Sequence, residues 1–185
     1  FSGSYLPLIN SNEKRKAIEF INKYREKQES IVNISSQLKL TREEIKDRFN
    51  LKSDSFIFFP MQIEGDSNII LNSPYYKKMS DVVRDLAFVA KKTGIPVICR
   101  PHPENKESLK EIISDFSGNE MINFDTDVNL HAMIDSSIAT VVINSTVGLE
   151  SLLYETPTIA LGCSLYSHKG LTYDCGNKQK IVDVV

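Results

Sequence analysis

The sequence lacks the short signatures that mark several large classes of enzyme. No G-x-G-x-x-G follows its first strand-like run, and G-x-x-x-x-G-K-[ST], G-x-S-x-G and H-E-x-x-H are absent. That argues against dinucleotide oxidoreductases, P-loop proteins, nucleophile-elbow hydrolases and zinc proteases. Cys99, Cys163 and Cys175 are widely spaced and form no C-x-x-C pair, so neither a zinc site nor a redox motif is expected, and a reducing cytoplasm is the natural compartment. No cluster of His, Cys or acidic residues has metal-ligand spacing; neither a bound metal nor a resident cofactor is expected. No run approaches the roughly 20 apolar residues that span a bilayer, and Phe1 to Asn10 lacks the charged-then-apolar order of a signal peptide. A soluble chain is expected. The net charge of -2 gives no electrostatic reason for nucleic acid as a partner.

What is present is a patterned chain of 185 residues, long enough for one substantial core and a smaller appendage. It begins without methionine and ends on Val184-Val185 soon after a loop-like stretch, as a piece of a longer protein would. Between Ser11 and Gln28, Ala17, Ile18, Ile21 and Tyr24 recur at helical spacing amid charge, predicting an amphipathic helix. Its basic run Lys14-Arg15-Lys16 reads as a solvated face. The alternative is peripheral contact with anionic lipid at the inner face of the membrane. Thr41-Arg-Glu-Glu44 has capping-box spacing and opens a second short helix. The pattern then changes at Lys52-Ser-Asp-Ser55, which puts a helical segment or connector at 1–52 and an α/β domain at 53–185.

From Ser55 on, β-rich runs (Phe56 to Phe59, Pro96 to Cys99, Met121 to Phe124, Ala139 to Ile143, Thr158 to Leu161) alternate with helical ones (Met79 to Lys92, Asn105 to Phe116, Leu130 to Ser136, Val147 to Tyr154). Repeated βα units predict a Rossmann-like parallel sheet with helices on both faces. Ligands of such sheets lie beyond the carboxyl ends of the strands, and most of the chemically suggestive residues fall there. Arg100-Pro-His102-Pro103 offers a cation and an imidazole to a phosphate on a proline-fixed backbone; the plainer reading is a proline stop to a strand. Asn144-Ser145-Thr146 precedes a helix and reads as a phosphate cradle or as ordinary N-capping. Gly148, costly in a helix by about 1 kcal/mol, suggests that something approaches the backbone there. Glu150 suits a ribose hydroxyl or solvent. Gln62, Glu64 and Asp66 put carboxylates on the same rim, suited to glycosyl transfer or to a polar turn on Gly65.

Four motifs in this order resemble the capsule-polysaccharide biosynthesis and export family, β-Kdo transferase type. They are Gln62-x-x-x-Asp66 with the later Ser73-Pro74, Arg100-Pro-His102-Pro103, Asn144-Ser-Thr-Val-Gly-Leu-Glu150, and Gly162-x-x-x-Tyr166 with Gly170-Leu-Thr172. The resemblance runs from about Phe56 to Thr172. It implies the carboxyl-terminal, nucleotide-binding half of a two-domain GT-B glycosyltransferase that uses CMP-Kdo without a metal to add Kdo to a glycolipid or oligosaccharide acceptor. It implies catalytic roles for Asp66, Gln62 and His102. Arg100, His102, Pro103, Asn144, Ser145, Thr146, Gly148 and Glu150 would hold the nucleotide, and Glu64, Tyr166 and Thr172 the substrate. An amino-terminal partner domain would complete the cleft. The alternatives are a sialyltransferase, a CDP-glycerol glycerophosphotransferase and a non-catalytic nucleotide-binding module.

Overall fold

β1 (Ile57–Pro60) is buried along its whole length and shows how the sheet divides its side chains. Successive residues of a strand point to opposite faces. Ile57 and Phe59 enter one apolar cluster with Val82, Val83, Leu86 and Val89, while Phe56 and Phe58 enter another with Ile45, Met133 and Ile134. A strand apolar on both sides needs helices on both sides, which is what the chain builds. The computed structural model describes residues 10–27, 37–102 and 106–185.

α1 (Ser11–Lys27) belongs to one unit, residues 1–35, and everything from Ser36 on to a second. In α1 Arg15 pairs with Glu19 one turn on, at 2.7 Å. In the second unit, α2 (Arg42–Arg48) starts at the expected capping box: Thr41 Oγ1 accepts from the Glu44 N–H, and the Glu44 carboxylate accepts from the Thr41 N–H. α2 buries Ile45 against Phe56 and Phe58. The second unit, Ser36–Val185, thus includes α2 together with the α/β stretch expected from 53 on. Charge on the outer face of α2 hides the fact that one residue of it is core.

The remaining elements are α3 (Ser67–Asn72), α4 (Met79–Thr93), β2 (Val97–Arg100), α5 (Lys106–Asp115), β3 (Ile122–Phe124), α6 (Leu130–Ser136), β4 (Ala139–Val142), α7 (Val147–Leu153), β5 (Thr158–Ala160), β6 (Tyr173–Asp174) and α8 (Lys178–Val184). The six strands are all parallel, in the order β3-β2-β1-β4-β5-β6. This is the doubly wound order, with its switch point between β1 and β4, where a crevice opens at the carboxyl ends. α4 ends on Gly94 at φ 75°, the left-handed cap that glycine adopts without strain. Its apolar face lies on the sheet beside α8, whose Ile181 is fully buried. The short elements α3, β6 and α8 fall where periodicity gives no signal. No helix among the described residues is long and apolar enough to cross a membrane.

Candidate functional site

The carboxyl end of β1 runs through Met61 into Gln62, and that of β4 through Ile143 into Asn144, so the two residues face each other across the switch point. Gln62, 8% exposed, accepts from the Asn144 main-chain N–H at 3.1 Å and donates to Asn144 Oδ1 at 3.0 Å. Asn144 Nδ2 in turn donates to the Asn68 carbonyl at 2.8 Å. Asp66 is the N-cap of α3, its Oδ1 accepting from the Asn68 N–H at 2.8 Å. The sequence reading, a carboxylate for sugar chemistry or a polar turn on Gly65, missed this cap; Asp66 ahead of the apolar Ile69 and Ile70 is the signal that could have found it. Glu64 turns towards the next helix, accepting from the Met79 N–H at 2.7 Å and so capping α4, whose own N-cap residue Lys78 makes no side-chain cap bond.

On the far side of the crevice, Ser145 Oγ accepts from the Val147 N–H at 3.2 Å, and the Ser145 carbonyl accepts from the Gly148 N–H at 3.0 Å. Thr146 is exposed and makes no side-chain cap bond. Gly148 is explained by a neighbour in the protein: a Cβ there would meet the Tyr166 ring at 2.5 Å from Cζ. What approaches the backbone there is thus Tyr166, a neighbour within the protein. Tyr166 is buried, its hydroxyl donates to the Ser145 carbonyl, and burial pushes its pKa up to about 12. It stays a neutral donor that fixes the start of α7. The Thr172 hydroxyl donates to Asp174 Oδ1 at 3.0 Å, and Asp174 also accepts from the His168 N–H, which closes the loop after β5 on itself.

Past β2, Arg100 is 9% exposed and donates to the Val128 carbonyl. Burial lowers its pKa, and the nearby Asp125 and Asp127 carboxylates act in the opposite sense; a guanidinium remains charged in either case. The loop Asp125 to Val128 is held by a residue that sequence patterns did not single out. Arg48 on α2 donates from Nε and Nη2 to Asp125 Oδ2, at 3.0 and 2.7 Å, and from Nη2 to Asp127 at 2.8 Å. His102 is half-buried just beyond β2; Pro103 lies outside the described residues. Glu150 on α7 is 7% exposed, and its Oε2 sits 4.0 Å from Nε2 of the buried His131 on α6. Among the described residues no group of three or more His, Cys, Asp or Glu side chains could hold a metal ion.

The ends of β1, β2 and β4 thus bring Gln62, Asp66, His102, Asn144, Ser145 and Thr146 to the carboxyl edge of one sheet. A family model described as "Capsule polysaccharide biosynthesis protein" matches residues 13–182, which take in all of these positions. The chain belongs to this family. Protein FixF of Sinorhizobium fredii is 27% identical over 143 residues, covering 77% of this chain and 33% of its own length. The capsule polysaccharide export protein KpsS of Escherichia coli is 26% identical over 146 residues, covering 73% and 37%. Among solved structures, the β-Kdo 2,4 transferase of Thermosulfurimonas dismutans KpsC matches with a TM-score of 0.65 at 16% identity, over 96% of this chain and 53% of that one. The β-Kdo 2,7 transferase of the same protein matches at 0.63 and 18%, over 92% and 49%. These two transferases and this chain share the Rossmann-like fold of GT-B enzymes. The chain spans about a third of the length of the curated relatives and about half that of the solved transferases.

Proposed function

We propose that this chain is the donor-binding half of a capsule glycosyltransferase that takes CMP-Kdo and passes Kdo to a glycolipid or oligosaccharide acceptor held by a second domain. The observation that carries the reading is the placing of the Ser145-Thr146 turn and the Asp66 segment on either side of the switch point of a doubly wound sheet, with His102 at the end of the next strand, β2, the edge where such sheets bind nucleotides. Family membership and the fold shared with two β-Kdo transferases support the choice of sugar. The leaving group of a CMP-sugar is a nucleoside monophosphate. Its charge can be met by hydrogen-bond donors and an imidazole, with a proton delivered by His102 to the departing phosphate. Arg100, already engaged by the Val128 carbonyl, contributes its positive field more than a new contact. Asp66 would attack the anomeric carbon as the bond to the CMP oxygen breaks. The acceptor hydroxyl would then displace the carboxylate and pass its proton to the His102 imidazole left neutral by the first step, with net retention.

Two experiments test this. In a thermal-shift panel, CMP and CMP-Kdo raise the melting temperature while UDP does not, because a ligand that binds only the folded state stabilises it by about 2.7 kcal/mol at 100 times its dissociation constant. A response confined to CMP-sialate or to CDP-glycerol would move the assignment to the corresponding transferase, and silence towards every nucleotide to a non-catalytic module. In the full-length enzyme, intact-mass spectrometry with CMP-Kdo shows a sugar adduct that Asp66→Asn abolishes. An adduct that persists in the variant removes Asp66 from the mechanism.

A further inference from the structure

We infer that Gln62 is a positioning residue: its side-chain amide, acting through Asn144, sets the spacing across the crevice between the Asp66 segment and the Ser145-Thr146 turn. The inference rests on the proposed nucleotide site and gives Gln62 a different task there from touching the sugar.

The argument begins with the main chain. β1 and β2 stay in register along four pairs, to Pro60↔Arg100, and the Met61 N–H still donates to the Arg100 carbonyl at 2.8 Å. β4 and β5 likewise stay tied past their ends, the Leu161 and Gly162 N–H groups donating to the Val142 and Ile143 carbonyls at 2.9 Å. β1 and β4, by contrast, are registered over two pairs alone, Ile57↔Ala139 and Phe58↔Thr140. At the carboxyl ends each half of the sheet is therefore bound to itself by backbone. Across the crevice one main-chain bond joins the far end of α3 to the loop after β5, the Cys163 N–H donating to the Asn72 carbonyl at 2.8 Å, while at the start of α3 the bonds run through side-chain amides: Gln62 to Asn144 at 3.0 and 3.1 Å, then Asn144 to the Asn68 carbonyl at 2.8 Å. Asn68 in turn donates its N–H to the Asp66 carboxylate. The chain of contacts runs from the Ser145 turn to Asp66.

The direction of this chain is fixed at both ends by main-chain groups. The Asn144 N–H can only donate, so it requires an oxygen from residue 62. The Asn68 carbonyl can only accept, so it requires the Asn144 NH2, which turns Asn144 Oδ1 towards residue 62 and requires a donor there. Glutamine meets both demands with one planar group. Glutamate cannot, since its second oxygen would face Asn144 Oδ1, and turning Asn144 over would set oxygen against the Asn68 carbonyl. Buried polar groups left in that state are costly, and the two segments would separate to admit water.

The test uses the full chain, with CMP alone as the probe. In ¹⁵N-correlated spectra, Gln62→Met shifts the amides of both Asp66 to Asn68 and Ser145 to Gly148, and Asn144→Ala shifts the same two sets. CMP affinity falls at least tenfold in each variant, and Gln62→Met/Asn144→Ala is no worse than the weaker single variant. Shifts confined to residues next to position 62 overturn the inference, as do losses that multiply in the double variant. An unchanged CMP affinity with weaker CMP-Kdo binding also overturns it, because that pattern belongs to a residue touching the sugar. If wild-type protein ignores CMP, the nucleotide reading fails separately, and the joint shift of the two segments, present or absent, still decides the role of Gln62. Should Gln62→Met not fold, Gln62→Glu replaces it with the same expected pattern, since it keeps the shape and loses the donor.

Discussion

Asp66, Glu64 and Asp125 each lend a carboxylate oxygen to a main-chain N–H, of Asn68, Met79 and Val128 respectively. The same residue types that suit sugar chemistry also suit the starts of helices and turns, and a sequence shows the type without the partner. Gly148 illustrates the point from the other side: its helix-breaking cost was legible, but the aromatic ring that calls for it comes from 18 residues further on, at Tyr166. Gly148→Ala should destabilise the protein by about 1–3 kcal/mol through overpacking. Chemical denaturation would show it, and in Gly148→Ala/Tyr166→Leu the loss should be clearly smaller than the sum of the single effects. At His131 the consequence is a pH dependence. Burial, and to a lesser degree the charge of Lys39, lowers its pKa below the ordinary value of 6.5. The Glu150 carboxylate 4.0 Å away opposes this, though desolvation dominates for a ring 1% exposed. The unfolded chain then binds the proton more readily than the folded one, so this contribution to stability is present above the ordinary histidine value and declines as pH falls below it. Urea midpoints measured from pH 7.5 to 5 should drop more steeply for wild type than for His131→Phe; parallel profiles would remove His131 as the cause.

Among the elements, those with a long apolar period were readable almost to the residue. α4 shows its buried stripe of Val82, Val83, Leu86 and Val89, and its terminal Gly94; α2 shows its capping box. α3, β6 and α8, of six, two and seven residues, are too short to establish a period and are fixed by tertiary contacts. The loop after β3 was visible as polar, but its organising residue was not, because Arg48 lies 77 positions before Asp125. Asp125 accepts from Arg48 and from the N–H groups of Asp127 and Val128, so it joins α2, β3 and the approach to α6. Asp125→Ala leaves the buried Val128 N–H without its acceptor and should cost about 1–3 kcal/mol. Arg48→Ala should cost less, since a guanidinium side chain 33% exposed is partly screened by solvent. Equal losses in thermal unfolding would show that the ion pair, rather than the turn, carries the effect.

For the molecule as a whole, the doubly wound sheet followed from alternation of strand and helix, and the crevice from the rule that ligands sit at strand ends. The division of labour inside the crevice did not follow, since it depends on which side chains meet across the switch point. In the proposed reading the chain is one wall of a cleft, and the matched stretch covers a third to about half of the length of the curated relatives and solved transferases. Addition of a second domain carrying the acceptor site should therefore raise transfer from CMP-Kdo well above that of this chain alone, while the affinity for CMP changes little. A radiometric transfer assay alongside CMP titration would measure both. Equal transfer rates would make the donor half sufficient.

The Tyr166 ring seated on the backbone of Gly148 also ties two letters of the sequence together in descent. A lineage that gains a side chain at position 148 must already have shed the ring at 166, and one that keeps the ring inherits the glycine with it. Among related chains the two positions should change as a pair, in that order, with alanine or serine at 148 accompanied by a smaller residue at 166.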